Sequence, residues 1–337
     1  MSVVAGIASA WPWGGVAERF AVRLGHRMPG SRIVRSFCLH FGLRLLRRNG
    51  KVERVAEIAP GGKMLLQLFP GTIQYYFLGA MCHSVEIPVE KLLRGALREG
   101  DVFFDIGANV GFYTFLAAPL CGEIGWIHAF EANPALRENL LRSAKLNCFP
   151  ERIAINSVAV GATHGGEILL YMPSDNPSDN PSGIPSTIQH EWLNSGAEIS
   201  VPLISIDGYM SENKIVRLDV VKIDIEGGEL NAFKGMVETF KNTPPALVIC
   251  ELMAASLSFV EGEFVQRATS APDPGEIIEF MLGQGYQPWH IRSCDGKLDH
   301  VVSLDEVASA VSATNVENVC FARPGLQRAR PELYAAD

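Results

Sequence analysis

The chain has 337 residues, more than one average domain and fewer than two full ones. Its 47% hydrophobic and 20% charged residues are typical of a globular protein and exclude a disordered one. No run approaches the ~20 consecutive apolar positions of a membrane-spanning helix, and the apolar first residues lack the flanks of an export signal, so we expect a soluble, cytoplasmic protein.

The first 54 residues form a basic arm on an acidic body. They contain ten Lys or Arg residues against Glu18 and Glu53, a net charge of +8, which leaves −16 for the rest of a chain whose total is −8. Such an arm could contact a membrane surface or an anionic substrate, or it could present a solvated basic face. Since no basic patch is interleaved with aromatic residues, we expect no nucleic-acid partner.

The elements predicted before residue 100 are mainly helical. We predict a helix over residues 15–50, a short hairpin from residues 52–57 and 63–68, and helices over 74–83 and 88–97.

From residue 102, short apolar runs alternate with helical segments. Strands are predicted at 102–106, 126–130, 153–160, 167–171, 199–206, 220–225, 246–252, 286–291 and 318–322. Helices are predicted at 112–120, 134–146, 229–241 and 275–282, and a further helix after residue 206 is capped by Asp207. Apolar strands that alternate with helices predict an α/β fold, with about seven mostly parallel strands in one sheet and helices on both faces.

A segment rich in Pro, Asn, Ser and Asp lies between two of these strands. Residues 173–185 cannot bury enough apolar area to order themselves. We predict a mobile loop over 173–187, which is either a lid over a functional site or a surface insertion.

The first apolar run ends in the turn Asp105-Ile-Gly107-Ala108-Asn109-Val-Gly111. Gly107 permits a sharp turn, and Gly111 lets the following helix approach the strand closely. The exposed backbone N–H groups suit a carboxylate or a phosphate. Dinucleotide-binding loops typically read Gly-x-Gly-x-x-Gly, but here Asp105 stands at the first glycine position, where a carboxylate can face an ammonium group.

An acidic residue ends the second apolar run. Glu131 follows Gly107 by 24 residues, and an acid at this position can accept hydrogen bonds from both hydroxyls of an adenosine ribose. Nicotinamide sites and methyltransferases share this feature, so it does not decide between them. Asp105 and Glu131 could instead cap helices, but their places at two successive strand ends favour a cofactor site.

Three charged residues lie at the end of the strand predicted over 220–225. Lys222, Asp224 and Glu226 alternate and would share one face of an extended chain. Charges there are costly unless they are paired or functional. A carboxylate could act as general base for a substrate hydroxyl, or Lys222 could pair with a carboxylate while Glu229 starts a helix.

Four motifs, in this order, resemble the FkbM family of methyltransferases. They are the turn at 105–113, Ala-Phe-Glu-Ala-Asn-Pro at 129–134, Leu-Ile-Ser-Ile-Asp at 203–207, and Val-Val-Lys-Ile-Asp-Ile-Glu-Gly-Gly-Glu-Leu at 220–230. The resemblance implies a class I methyltransferase fold with a seven-stranded Rossmann-like sheet. It also implies S-adenosylmethionine as cofactor and O-methylation of a hydroxyl on a sugar or secondary metabolite. Ala132 departs from the family pattern, in which Pro is more usual.

The resemblance assigns cofactor contacts to the ends of the first three strands, at Asp105, Gly107, Ala108, Asn109, Gly111, Glu131, Ala132, Asn133, Ser157, Val158 and Ala159. The glycine turn would hold the methionine end, Glu131 the ribose, and residues 157–159 the adenine. The catalytic candidates are Lys222, Asp224 and Glu226, with His190 and Glu251 as secondary candidates for the base. A divalent metal beside Asp224 and Glu226 is compatible with the paired carboxylates but is not required.

We divide the chain into a basic, mainly helical extension (residues 1–84), an S-adenosylmethionine-binding domain (85–325) and a C-terminal tail (326–337). We expect a small-molecule or glycan acceptor, while its identity and the oligomeric state stay open. The basic arm is compatible with peripheral membrane contact. The alternatives are a nicotinamide-dependent oxidoreductase, which should contain Gly-x-Gly-x-x-Gly, and a non-catalytic cofactor-binding scaffold, which would not need the charges between residues 222 and 226.

Overall fold

The computed structural model describes residues 12–28, 31–49, 52–68, 72–79, 86–172, 186–187, 197–253, 257–260, 263–266, 273–303, 305–307, 309 and 316–335. Residues 173–185 of the predicted mobile loop lie outside the described residues, and so does His190. Within the described ranges, no helix is long and apolar enough to cross a membrane.

Two helices and a hairpin form the first part of the chain. They are α1 (Pro12–Arg27), α2 (Arg32–Asn49), β1 (Val52–Ala59) and β2 (Gly62–Leu68), followed by α3 (Ile73–Leu78). The hairpin is confirmed. The single helix predicted over 15–50 is wrong, because Pro29 and Gly30 interrupt the helical sequence between α1 and α2.

A central sheet is formed by eight of the described strands. In spatial order they are β14 (Leu298–Val301), β13 (Gln287–Ile291), β15 (Val316–Ala322), β10 (Leu247–Met253), β9 (Val220–Ile223), β3 (Val102–Ile106), β4 (Trp126–Phe130) and β5 (Ile153–Asn156). The five strands from β10 to β5 are parallel, and β15 is antiparallel to β10 and β13. The predicted fold class is confirmed, with β14 added along the free edge of β13.

Smaller sheets lie outside the central one. The strands β6 (Ala159–Val160), β7 (Glu167–Tyr171) and β8 (Glu198–Ile204) form one sheet, and β11 (Leu257–Val260) pairs with β12 (Glu263–Gln266). The strand predicted over 153–160 is therefore two strands in different sheets. The remaining helices are α4 (Glu86–Ala96), α5 (Phe112–Cys121), α6 (Pro134–Ala144), α7 (Ile206–Glu212), α8 (Glu229–Lys234), α9 (Val237–Asn242), α10 (Pro274–Gly283) and α11 (Leu326–Ala329).

Two hydrophobic cores cover the two faces of the central sheet, because successive side chains of a strand point to opposite faces. Phe103 belongs to the core that contains Phe115 of α5 and Leu66 of the hairpin. Its neighbour Phe104 belongs to the other core, with Phe233 of α8. Complete burial of each such side chain stabilises the fold by about 1.5–3 kcal/mol. The hairpin thus shares a core with the sheet.

The helix α7 is capped by Ser205, whose side chain accepts a hydrogen bond from the Gly208 N–H at 3.1 Å. The Asp207 carboxylate instead accepts from the N–H groups of Glu238 and Thr239, at 3.0 and 2.7 Å, in the first turn of α9. The prediction that Asp207 caps its own helix was wrong, because α9 packs beside α7 and presents unpaired N–H groups to it.

Candidate functional site

A cavity lies at the carboxyl ends of β3, β4 and β9. These strands are parallel neighbours, so the loops that follow them meet at one edge of the sheet. Eight of the predicted site residues line it: Gly107, Asn109, Glu131, Ala132, Val158, Ala159, Asp224 and Glu226. The other six lie outside its lining: Asp105, Ala108, Gly111, Asn133, Ser157 and Lys222.

The glycine turn is drawn tightly against its neighbouring strands. Gly107 has a φ of +85°, and a Cβ atom there would lie 1.7 Å from the carbonyl oxygen of Asp224. The N–H groups of Gly107 and Ala108 both donate to the carbonyl oxygen of Phe130, at 2.9 and 3.0 Å. A Cβ atom on Gly111 would lie 2.4 Å from the Phe115 ring, so glycine also permits the close start of α5.

The Glu131 carboxylate joins the loops that follow β3 and β4. One oxygen accepts a hydrogen bond from the Asn109 N–H at 2.7 Å, and the other accepts from the Asn133 N–H at 2.8 Å. Asn133 in turn caps α6 through the Ala135 N–H. Burial raises the pKa of Glu131 to about 7. Each carboxylate oxygen can accept two hydrogen bonds, so both can receive a further donor from a ligand.

Asp105 lies beneath the turn, where its side chain is buried. The Thr114 hydroxyl donates to one of its oxygens at 2.5 Å, and the other oxygen has no hydrogen-bond partner among the described residues. Burial raises the pKa of Asp105. A buried, unpaired carboxylate oxygen is costly, and an approaching donor would reduce that cost.

Lys222 is the buried cation of the site, with 2% of its surface exposed. Its Nζ donates to the Asp224 carboxylate at 2.7 Å and lies 4.7 Å from the centre of the Tyr113 ring. The Tyr113 hydroxyl donates to the Glu86 carboxylate. Burial opposes the charge of Lys222, but the carboxylates of Asp224, Glu86 and Asp105 outweigh it and hold the pKa of Lys222 above its ordinary value. The Lys222–carboxylate pair that the sequence left open is thus present.

Two carboxyl groups beside Lys222 differ in the direction of their pKa shifts. Burial opposes the ionisation of Asp224, but the Lys222 ammonium and a hydrogen bond from Glu251 outweigh it and lower the pKa of Asp224. Burial and the Asp224 charge hold the pKa of Glu251 well above its ordinary value. The surroundings thus shift the pKa values of Asp224 and Glu251 in opposite directions.

Glu226 reaches the cavity through a turn rather than along a strand. The strand β9 ends at Ile223, and Glu226 has a φ of +57°. The Glu229 carboxylate holds this turn by accepting from the N–H groups of Ile225 and Gly227, at 3.0 and 3.1 Å. The expectation of one extended face for residues 222, 224 and 226 was wrong at Glu226. Burial and the charge of Asp224 raise the pKa of Glu226 to about 8.

The carboxylates of Glu86, Asp224 and Glu251 lie close enough to suit a cation, each offering an oxygen within 4.8 Å of the others. The Lys222 ammonium, which donates to Asp224 at 2.7 Å, already places one positive charge against this cluster.

Glu86, Tyr113 and Thr114 were missed by the sequence analysis. Tyr113 and Thr114 directly follow the glycine turn, in the first turn of α5, and this position could have identified them. Glu86 begins α4, and no spacing in the sequence connects it with Tyr113. Its proximity depends on the packing of α4 against α5.

The fold is an α/β fold with a mostly parallel sheet and a cavity at the carboxyl ends of its strands. Residues 105–288 match the methyltransferase FkbM domain, which is more than half of the chain. The chain belongs to this family.

Two curated relatives are similar to part of the chain. Hexuronic acid methyltransferase AglP of Haloferax volcanii is 28% identical over 172 residues, which cover 50% of this chain and 63% of AglP. The 31-O-demethyl-FK506 methyltransferase FkbM of Streptomyces tacrolimicus is 25% identical over 161 residues, which cover 42% of this chain and 61% of that protein. The chain thus spans less than two thirds of the length of either relative.

Among solved structures, methyltransferase FkbM of Methylobacillus flagellatus KT is similar with a TM-score of 0.40 and 15% identity. The superposition covers 75% of this chain and 53% of that chain.

Proposed function

We propose that the protein transfers the methyl group of S-adenosylmethionine to a hydroxyl group of a sugar or a secondary metabolite. The observation that carries this proposal is the position of Glu131, which bridges the loops after β3 and β4 in the cavity that Asp224 and Glu226 also line. Glu131, the acid proposed to bind the ribose, thus lines the same cavity as the carboxylates of Asp224 and Glu226. The names of the two relatives, a hexuronic acid methyltransferase and a 31-O-demethyl-FK506 methyltransferase, support an oxygen acceptor.

The residues of the cavity fit this cofactor. Both oxygens of Glu131 can accept from the two ribose hydroxyls. The unpaired oxygen of Asp105 lies beneath the glycine turn and outside the cavity lining, so a donor of the methionine part would have to approach it through that turn. Leu136 and Val158 supply apolar contacts for an adenine ring. When it is bound, S-adenosylmethionine supplies an electrophilic methyl group on a positively charged sulfur.

Asp224 and Glu226 would have different roles toward the acceptor hydroxyl. Asp224 keeps its negative charge through Lys222 and Glu251 and can hold the acceptor hydroxyl by accepting its hydrogen bond. Glu226, whose pKa is raised to about 8 by burial and by the charge of Asp224, would take the proton that the acceptor hydroxyl loses when it is methylated. Rigid alignment of the hydroxyl contributes more than proton transfer alone, because it removes the entropy cost of bringing the reactants together.

Calorimetric titration of the full chain tests the cofactor. S-adenosylhomocysteine should bind with micromolar affinity and NAD should not bind. The Glu131→Ala variant should lose this binding, while Glu138→Ala, an exposed position on α6, should retain it. Saturable NAD binding without a response to S-adenosylhomocysteine would overturn the proposal.

A second experiment tests the acceptor. Transfer of a labelled methyl group should be screened against uronic acids and hydroxylated polyketides, with the methylated atom located by mass spectrometry. We expect an O-methyl product. Methylation of nitrogen or carbon alone would contradict the acceptor class and leave the cofactor assignment intact.

A further inference from the structure

The helices α1 and α2 pack on α3 through narrow inner faces. Ala21, Val34 and Cys38 are buried in one cluster with Phe77 of α3. Gly25 lies so close to α3 that a Cβ atom there would be 2.0 Å from the carbonyl oxygen of Phe77. The opposite, outer faces of α1 and α2 therefore do not pack on α3 and can contact a partner.

The outer face of α1 combines apolar and basic side chains. Val16, Phe20, Arg23 and Arg27 follow one another at helical spacing and all are exposed, Phe20 at 61%. Arg19 lies beside this stripe and is also exposed.

The outer face of α2 has the same character. Ile33 is 83% exposed, and Phe37, four residues further on, is exposed on the same side of the helix. Leu43 is also exposed. Arg32 and Arg44 flank them and are exposed as well. Large apolar side chains in such positions are costly in water unless a partner covers them.

Negative charge is absent from both outer faces. Over the lengths of α1 and α2 the only acidic residue is Glu18, and it is buried. Arg54 donates to it at 2.5 Å and the Tyr76 hydroxyl at 2.8 Å, so its charge is neutralised on the inner side. Apart from His26, Ser36 and His40, the exposed side chains described on α1 and α2 are basic or apolar.

We propose that the outer faces of α1 and α2 dock on a membrane surface that contains anionic lipids. Arginine side chains suit the lipid phosphates, and Phe20, Ile33 and Phe37 suit the boundary between head groups and acyl chains. A second copy of this face would bring like charges together, and a nucleic acid would not cover the apolar side chains.

Docking would place the candidate active site near the lipid surface. The helix α3, on which α1 and α2 rest, contacts α5 through the rings of Tyr75 and Phe112, whose centres are 5.2 Å apart. Phe112 directly follows the glycine turn.

Co-flotation of the full chain with vesicles tests this surface. We expect binding to phosphatidylcholine vesicles that contain phosphatidylglycerol, little binding to phosphatidylcholine alone, and weaker binding as salt is added. Charge reversal by Arg23→Glu with Arg27→Glu, or loss of apolar contact by Phe20→Ser with Ile33→Ser, should each reduce the partition coefficient at least tenfold.

The matched controls are Arg137→Glu and Val216→Ser, which change exposed residues elsewhere and should leave vesicle binding unchanged. Since all these positions are exposed, thermal unfolding and S-adenosylhomocysteine binding should be unaffected, which separates this proposal from the proposed function. Equal binding to neutral vesicles, no vesicle binding, or unchanged binding of the α1 and α2 variants would overturn it. A dimer that Phe20→Ser dissociates, without vesicle binding, would assign the face to a second copy.

Discussion

The carbonyl oxygen of Asp224 lies 1.7 Å from the point where a Cβ atom of residue 107 would stand. The Asp224 N–H also donates to the carbonyl oxygen of Ile106 at 3.0 Å. The glycine turn and the loop after β9 are thus held together by their backbones. The proposed cofactor turn and the proposed acceptor carboxylates therefore form one rigid unit.

Gly107→Ala should damage both stability and cofactor binding. A left-handed alanine costs about 1–2 kcal/mol and the clash with Asp224 about 1–3 kcal/mol more, in the free energy of unfolding. The control is Gly166→Ala, which has the same φ of +85° but no atom within 4 Å. Urea unfolding and S-adenosylhomocysteine titration should show the larger effect only at Gly107. Equal losses at the two positions would show that the close approach of Asp224 is unimportant.

Cofactor affinity should depend on pH through Glu131. Ribose hydroxyls donate to the ionised carboxylate, and the pKa of Glu131 is raised by burial to about 7 in the protein without ligand. The affinity for S-adenosylhomocysteine should therefore fall as the pH drops below about 7, approaching tenfold per pH unit. In Glu131→Gln the affinity should be lower and this pH dependence absent. A wild-type affinity that does not change with pH would contradict the role of Glu131.

Lys222→Met should destabilise the fold by about 3–5 kcal/mol at neutral pH, because it leaves buried carboxylates without their cation. Without Lys222 the folded-state pKa of Asp224 would rise above its ordinary value of 3.8. In the variant, the Asp224 carboxyl would then bind a proton more tightly in the folded protein than in the unfolded chain. The loss of stability should therefore grow as the pH rises above 3.8.

Denaturant unfolding at several pH values measures this loss. Adding Asp224→Asn to Lys222→Met removes one of the unpaired charges and should recover part of the stability. If the single and double variants were equally unstable, the buried pair would not be the source of the effect.

The rate of methyl transfer should rise with pH through about 8, because the pKa of Glu226 is raised to that value by burial and by the charge of Asp224. Glu226→Gln should lower kcat by about a hundredfold or more and remove this rise, since a general base typically contributes that much. Asp224→Asn should leave S-adenosylhomocysteine binding measurable but abolish turnover. Full activity of Glu226→Gln would show that a residue other than Glu226 is the general base.

Much of the site could be predicted because its turns and strand ends are each formed by residues that are close together in the sequence. Gly107 and Gly111 are required by the turn between a strand and a helix, and Glu131 stands directly at the end of the next strand. Asp105 was also identified, but its burial beneath the turn depends on Thr114 and the start of α5. The turn that carries Glu226 could not be predicted, since the sequence from Val220 to Glu226 reads as one continuous strand.

The sequence by itself determined the α/β class, the glycine turn and the acids at the strand ends, because these depend on residues that are neighbours in the chain. Only the tertiary structure decided that Asp207 caps α9 and that the side chains of Glu251 and Asp224 are hydrogen-bonded to each other. The tertiary structure also decided the surroundings of Lys222, since Tyr113 belongs to α5 and Glu86 to α4. Contacts between separate elements depend on strand register and helix packing, and the spacing of residues along the chain does not specify either.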